Sequence, residues 1–193
     1  MKRKLLVTST LLLTTAMVGV SGAAFSDDDN DKRGGLMSRW FGSSKPGVAP
    51  VENPQYLEEC GACHFPYQPG LLPARSWTNM MATLEDHFGE NAELPADTAK
   101  AIESYLLENA ADQSNHKRSV KIMKSIRPGD APLRISETPY FIKKHDELSR
   151  KMVQDNPEVR SFSNCGACHT TAATGSYEEN DIRIPGFGQW EDD

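Results

Sequence analysis

The chain runs to 193 residues with a formal net charge of −6, 38 % of residues hydrophobic and 25 % charged. That length allows one or two small domains with a modest core. The acidic balance, 27 Asp and Glu against 21 Lys and Arg, argues against nucleic acid or an anionic membrane surface as the ligand and for a partner with a basic face.

Residues 1–24 read as a signal peptide. Lys2-Arg3-Lys4 make a positive start, Leu5 to Val20 an apolar run interrupted by Thr and Ser, and Gly22-Ala23-Ala24 a small-residue cleavage site. An uncleaved membrane anchor is the alternative, because the run is only marginally short of a span. Cleavage would remove three positive charges and move the net charge from −6 to −9. Residues 25–52 have linker composition: Asp27-Asp28-Asp29-Asn30-Asp31, Gly34-Gly35, Ser43-Ser44, Pro46 and Pro50, with Trp40-Phe41 the one apolar spot.

Order is expected to begin at Asn53-Pro54, an N-cap followed by proline at the first helical position, in a short helix running into Cys60. Pro66, Pro69-Gly70 and Pro73 predict a loop. Residues 74–88 read as a helix with Trp77, Met80, Met81, Leu84, His87 and Phe88 on one face, stopped by Gly89. Asp97 is the expected N-cap of a helix to about Asn109, with Ile102, Tyr105 and Leu106 turned inward. Residues 113–127 predict an amphipathic helix with Lys117, Arg118, Lys121, Lys124 and Arg127 outside and Val120, Met123 and Ile126 inside. Pro128-Gly129 ends it, and Leu133 to Ile135 read as briefly extended. Thr138-Pro139 opens a helix through about Val153, with Phe141, His145, Leu148 and Met152 on its apolar stripe. Asn156-Pro157 opens another that leads to Cys165, and Ile182 to Gly186 read as irregular chain over a surface. The predicted class is all-α with long loops.

Two copies of one pentapeptide, Cys60-Gly61-Ala62-Cys63-His64 and Cys165-Gly166-Ala167-Cys168-His169, use all four cysteines. Cys-x-x-Cys-His is the attachment pattern of c-type haem: two thioether bonds, and the adjacent His as a proximal iron ligand. Zinc ribbons, disulfides and thioredoxin-like centres also use paired cysteines, but none requires the following His. With five His in 193 residues, one falls at a given position by chance roughly once in forty, and both coincide about once in 1,500. The reading is therefore two covalently bound haem c groups. Export agrees with it, since c-type haem is attached outside the bacterial cytoplasm. The copies lie 105 residues apart and only 24 residues follow His169, so this is not a tandem duplication of one complete domain.

Three further histidines compete for the distal iron positions. His87 and His145 fall on apolar stripes, whereas His116 sits among Asn115, Lys117 and Arg118. In single-domain cytochromes c of the common soluble type, the distal ligand precedes an aromatic–aliphatic pair by somewhat under twenty residues. Tyr105-Leu106 is similar, with His87 18 residues before Tyr105. This puts His87 opposite His64, leaving His145 for the haem of His169; a crossed assignment stays open. Met80, Met81, Met123 and Met152 are rival ligands that read better as core filler. Arg75 and Trp77 are candidate propionate contacts, with a surface arginine and plain core packing as the bland alternatives.

Several segments together resemble the dihaem cytochrome c family first described from photosynthetic bacteria. They are Glu59 to His64, Gly70-Leu71-Leu72-Pro73-Ala74-Arg75-Ser76-Trp77, His87-Phe88-Gly89, Tyr105-Leu106, Arg134-Ile135, Lys144-His145, the second pentapeptide and Arg183-Ile184-Pro185. The likeness covers residues 53–186. It implies a periplasmic carrier with two bis-His haems, a cytochrome c-like domain at 53–115 for haem 1, and an atypical loop-rich segment at 116–193 for haem 2. It also implies redox protein partners, such as a small oxygen-binding haem protein or a membrane b-type cytochrome. The expected activity is electron transfer rather than enzymatic turnover, with no nucleic acid or small-molecule substrate. A dihaem peroxidase, a sulfur-compound dehydrogenase and an oxygen or nitric oxide binder are the competing classes. Peroxidases of that kind are longer, sulfur enzymes often use a cysteine ligand, and a peroxidase or gas binder needs an open iron.

Overall fold

Asn53 starts the first helix as expected in the computed structural model, which describes residues 46–190. Its side chain accepts the Tyr56 N–H at 2.9 Å, and Pro54 occupies the first turn of α1 (Pro54–Gly61). The expected signal segment and the linker up to residue 45 lie outside the described residues. Among the described residues no helix is long and apolar enough to cross a membrane.

Helix α1 drops Tyr56 into the core, where its hydroxyl donates to the Tyr67 carbonyl at 2.7 Å. The proline cluster is less loop than spacer: Pro69–Leu71 form a single 3-10 turn, and residues 68–73 are buried throughout. It leads into α2 (Ala74–Met81), which packs on α3 (Ala96–Glu108). Tyr56, Leu72, Trp77, Ile102, Leu106 and Ala110 meet there as one cluster. Full burial of side chains such as Ile102 and Leu106 stabilises by about 1.5–3 kcal/mol each. A second cluster, Val48, Leu71, Ile122 and Ile126, is built on α4 (Lys117–Ser125), against which α5 (Pro139–Lys144) packs. The second pentapeptide forms the one-turn helix α6 (Cys165–Cys168). The chain then closes in a two-stranded antiparallel ribbon, β1 (Arg183–Ile184) with β2 (Gly188–Gln189).

Several expected boundaries move. The helix over 74–88 stops at Met81: the Thr83 hydroxyl donates back to the Asn79 and Met80 carbonyls, and Leu84–Asp86 tighten into a 3-10 turn. Asp86 then accepts the Gly89 N–H, while Phe88 and Gly89 take φ of 59° and 100°. His87 therefore leaves the core on a turn, bridged to Glu90, and not on a helix face. Asp97 lies inside the first turn of α3 behind Pro95, where its charge suits the helix N-terminus. On α4 the buried stripe is Ser119, Ile122 and Ile126, one position away from the expected Val120 and Met123. Leu133 to Ile135 form no strand, and Ile135 begins a 3-10 turn. The helix from Thr138 ends at Lys144, so His145 caps it, and residues 146–155 are not helical. Asn156 caps no helix. It is buried in a turn, its amide donating to the Met152 and Pro185 carbonyls.

Residues 46–52, expected as linker, belong to the folded body. Val48 is fully buried and its N–H donates to the Gly175 carbonyl at 3.2 Å, while Gly47 accepts from the Arg118 N–H at 3.0 Å. Apolar burial, not composition, decides this stretch.

Gly70 lies against Ser119, where an added Cβ would come 2.8 Å from the Ser119 Oγ, itself buried without a partner among the described residues. An unpaired buried hydroxyl costs about 1–3 kcal/mol. Ser119→Ala is accordingly expected to be neutral or stabilising by about 1 kcal/mol and to relieve much of the cost of Gly70→Ala. Thermal unfolding of the two single variants and the double variant checks this; additive effects would sink it.

Candidate haem sites

The turn at 87 and the end of α5 bring two histidines against the two pentapeptides. The His64 and His87 rings face each other with centroids 6.1 Å apart at 20°. The His145 and His169 rings are also 6.1 Å apart, at 74°. Two metal–imidazole bonds of about 2 Å, each with roughly 1.1 Å more to the ring centre, span about 6.2 Å. Each pair thus has the separation of two imidazoles on opposite sides of one metal ion. His87 thus lies against His64, and His145 against His169.

The hydrogen bonds suit that role. The His64 Nδ1 lies 2.7 Å from the Phe65 carbonyl, and the His145 Nδ1 2.8 Å from the Phe141 carbonyl. A carbonyl can only accept, so Nδ1 carries the hydrogen in both and Nε2 is the nitrogen left for a metal. Burial is the first cause that lowers the pKa of His87, His145 and His169, bringing His169 down to about 4. At neutral pH these imidazoles are uncharged, as ligands must be. The His169 Nδ1 is buried without a partner among the described residues.

Aromatic rings frame each pair. Tyr67 stacks on His64 at 5.1 Å, and Phe88 lies 4.9 Å from His87. Phe141 stacks on His145 at 3.8 Å, Phe162 stands edge-on at 5.9 Å, and Tyr177 flanks His169 at 5.1 Å. A cavity of about 370 Å³ opens beside His87, with Met80, Phe88, Leu133 and Arg134 in its wall.

The rival cysteine chemistries fare worse. Among the described residues no three His, Cys, Asp or Glu side chains gather as a metal shell. Two opposed nitrogens suit a metal that brings its own equatorial donors, as a porphyrin does. Burial raises the Cys60 and Cys165 side chains to about 11 and pushes Cys168 up as well. Redox-active thiols need the opposite shift.

Of the expected supporting residues, Trp77 is corrected. Its single donor bonds the Pro69 carbonyl at 2.9 Å in the core, so no donor remains for a propionate. The Arg75 Nε donates to the Asp130 carbonyl and so ties α2 to the turn after α4. His116 joins neither pair; its Nδ1 lies 2.9 Å from the Pro46 carbonyl. Met80 and Met81 pack on the first core cluster.

Three residues with a place in the sites escaped sequence reasoning. Gln68 is fully buried, donating to the Ala172 carbonyl and accepting from the Tyr177 hydroxyl, both at 2.6 Å. The Tyr67 hydroxyl donates to the Ser163 carbonyl at 2.6 Å. The loop after the first pentapeptide is in this way bolted to the segment around the second. Arg118, expected on an outer face, points inward to donate to the Tyr140 hydroxyl and the Tyr177 carbonyl, each at 2.9 Å. Charge in a sequence carried no signal for that direction.

Comparison with known proteins gives a consistent result. A family model described as dihaem cytochrome c matches residues 56–177. The chain is similar to the solved dihaem cytochrome c of Shewanella baltica OS155, with 42 % identity, 72 % of this chain and 98 % of that one covered, and a TM-score of 0.60. It is similar also to the dihaem cytochrome c of Rhodobacter sphaeroides, with 47 % identity, 67 % and 100 % of the two chains covered, and a TM-score of 0.60. A second structure of the Rhodobacter sphaeroides protein shares 46 % identity, with 66 % and 99 % coverage and a TM-score of 0.55. No curated protein matches the chain.

Proposed function

The chain belongs to the dihaem cytochrome c family, with two haem c groups as its cofactors, and on that premise we propose that it is a periplasmic single-electron carrier with two bis-His haems. Cys60 and Cys63 hold haem 1, and Cys165 and Cys168 hold haem 2. His64 and His169 are the proximal ligands, His87 and His145 the distal ones. When bound, each haem supplies a one-electron iron couple. The protein's part is to close both axial positions, exclude water and fix ring orientation through the Phe65 and Phe141 carbonyls. The observation that carries the reading is the pair of facing histidines, each with centroids 6.1 Å apart.

With four nitrogen ligands in place no iron is open to substrate, which favours electron transfer over peroxidase, dehydrogenase or gas-binding chemistry. In this reading residues 1–24 direct export, residues 53–115 serve haem 1 and residues 116–193 serve haem 2. The partner is a redox protein, a small oxygen-binding haem protein or a membrane b-type cytochrome being the two kinds that fit. The acidic balance favours docking on a basic face, so electron exchange should slow as ionic strength rises.

Electron paramagnetic resonance of the oxidised holoprotein at low temperature tests the ligation. Relative ring orientation sets the splitting of the iron d orbitals. The 20° pair should give an ordinary rhombic low-spin signal and the 74° pair a strongly anisotropic one. The reduced protein should bind no carbon monoxide at neutral pH. Methionine-type signals, or stoichiometric carbon monoxide binding, would overturn the proposal.

A further inference from the structure

Each facing pair is backed by an arginine stacked on an aromatic ring. At the first, the Arg134 guanidinium lies 4.0 Å from the centre of Phe88, whose ring is 4.9 Å from His87. At the second, Arg118 lies 5.6 Å from the centre of Tyr177, whose ring is 5.1 Å from His169. The two cations differ in what compensates them. Arg134 has a side chain 50 % exposed and sits 3.5 Å from the Glu137 carboxylate. Arg118 is gripped by the Tyr140 hydroxyl, the Tyr177 carbonyl and a second ring, Tyr140, 6.0 Å away. Its Nε is buried without a partner, and among the described residues none of its partners is a carboxylate. Gly47 presses on it from behind, since a Cβ there would stand 3.0 Å from Nε. A guanidinium cannot shed its proton in response.

We propose that Arg118 sets the order of the two haems: its enclosed charge raises the reduction potential of haem 2 above that of haem 1. The first electron delivered by a redox partner then resides on haem 2. The inference rests on the ligation proposed above. Reduction adds one electron and makes or breaks no bond, so a nearby positive charge favours the reduced state. A unit charge one ring beyond the ligand, at an effective dielectric of about 20, is worth about a tenfold change in equilibrium, 59 mV for a one-electron couple. Salt screens an enclosed charge little. Arg134 stands behind His87 in the same way, but Glu137 offsets it. Asp146, next to His145 in the chain, is exposed, so its opposing charge is weakened by solvent.

Redox titration of the holoprotein, followed by visible spectra and low-temperature electron paramagnetic resonance, tests this in wild type, Arg118→Gln, Arg118→Lys and Glu137→Gln. Arg118→Gln should lower, by about tenfold in equilibrium, the couple of the strongly anisotropic haem alone. Arg118→Lys, which keeps the charge, should restore most of the gap. Glu137→Gln should narrow the gap by raising haem 1. A gap that widens in Glu137→Gln, or an Arg118→Gln titration in which haem 2 does not move while both signals persist, overturns the proposal. If Arg118→Gln fails to hold two haems, the Glu137→Gln result still decides the order. Failure of the ligation itself shows separately, as wild-type signals that are not bis-imidazole.

Discussion

Replacing Gly175 by alanine is expected to cost about 3 kcal/mol or more, a fall in melting temperature of roughly 6–12 °C. Two effects combine. Gly175 holds φ of 77°, where a side chain costs about 1 kcal/mol. An added Cβ would also stand 2.2 Å from the Val48 carbonyl oxygen, and backbone cannot swing aside as a side chain can. The 46–48 segment must lift, losing the bond from the Val48 N–H to Gly175 and the burial of Val48, together about 2–3 kcal/mol. Gly186→Ala is the control. Its φ is 78° but nothing lies within 4 Å of the added atom, so only about 1 kcal/mol should be lost. Thermal unfolding of the two holoprotein variants makes the comparison. Equal losses would mean that the docking of Val48 contributes nothing.

The gap between what could be read in advance and what could not follows the range of the interactions. Cys-Gly-Ala-Cys-His is local chemistry, so both pentapeptides and the all-α class were legible, and family likeness is written in short ordered segments. His87 and His145 were singled out by position on a stripe, and the structure does bring them opposite His64 and His169. The stripe itself was drawn too long in both cases. Periodicity continues through Leu84 and Leu148, but the Thr83 hydroxyl competes for the helix carbonyls and α5 is closed by the His145 ring bonding back to Phe141.

Other features depend on partners far along the chain. Gln68 meets Ala172 and Tyr177 across more than a hundred residues, so nothing near it announces its burial. Val48 reads as linker because its neighbours are Pro and Gly, while its core partners are Leu71, Ile122 and Ile126. Arg118 is one of five basic residues in a run, and its partners Tyr140 and Tyr177 lie well along the chain. The same contacts that hid these residues join the two haem segments into one body, so the asymmetry of the motifs in sequence becomes an asymmetry of electrostatic surroundings in space.

Removing one distal imidazole at a time should open one iron and leave the other closed. His87→Ala is expected to abolish the rhombic signal, keep the strongly anisotropic one, and bind one carbon monoxide per reduced protein where wild type binds none. His145→Ala should do the reverse. The two are not equally easy to rescue. His87 borders a cavity of about 370 Å³ and is held by a turn, so added imidazole should enter, restore the low-spin signal and displace carbon monoxide. His145 lies between Phe141 at 3.8 Å and the edge of Phe162 at 5.9 Å, a tighter slot from which rescue should be weaker. His145→Met keeps a sixth ligand but exchanges nitrogen for thioether sulfur, which should raise that haem's potential and leave the other unchanged. Pairing each change with loss of Cys165 and Cys168 identifies the affected haem. A His87→Ala protein whose open iron disappears with those cysteines would reveal a crossed assignment, contrary to the 6.1 Å approach of His87 to His64.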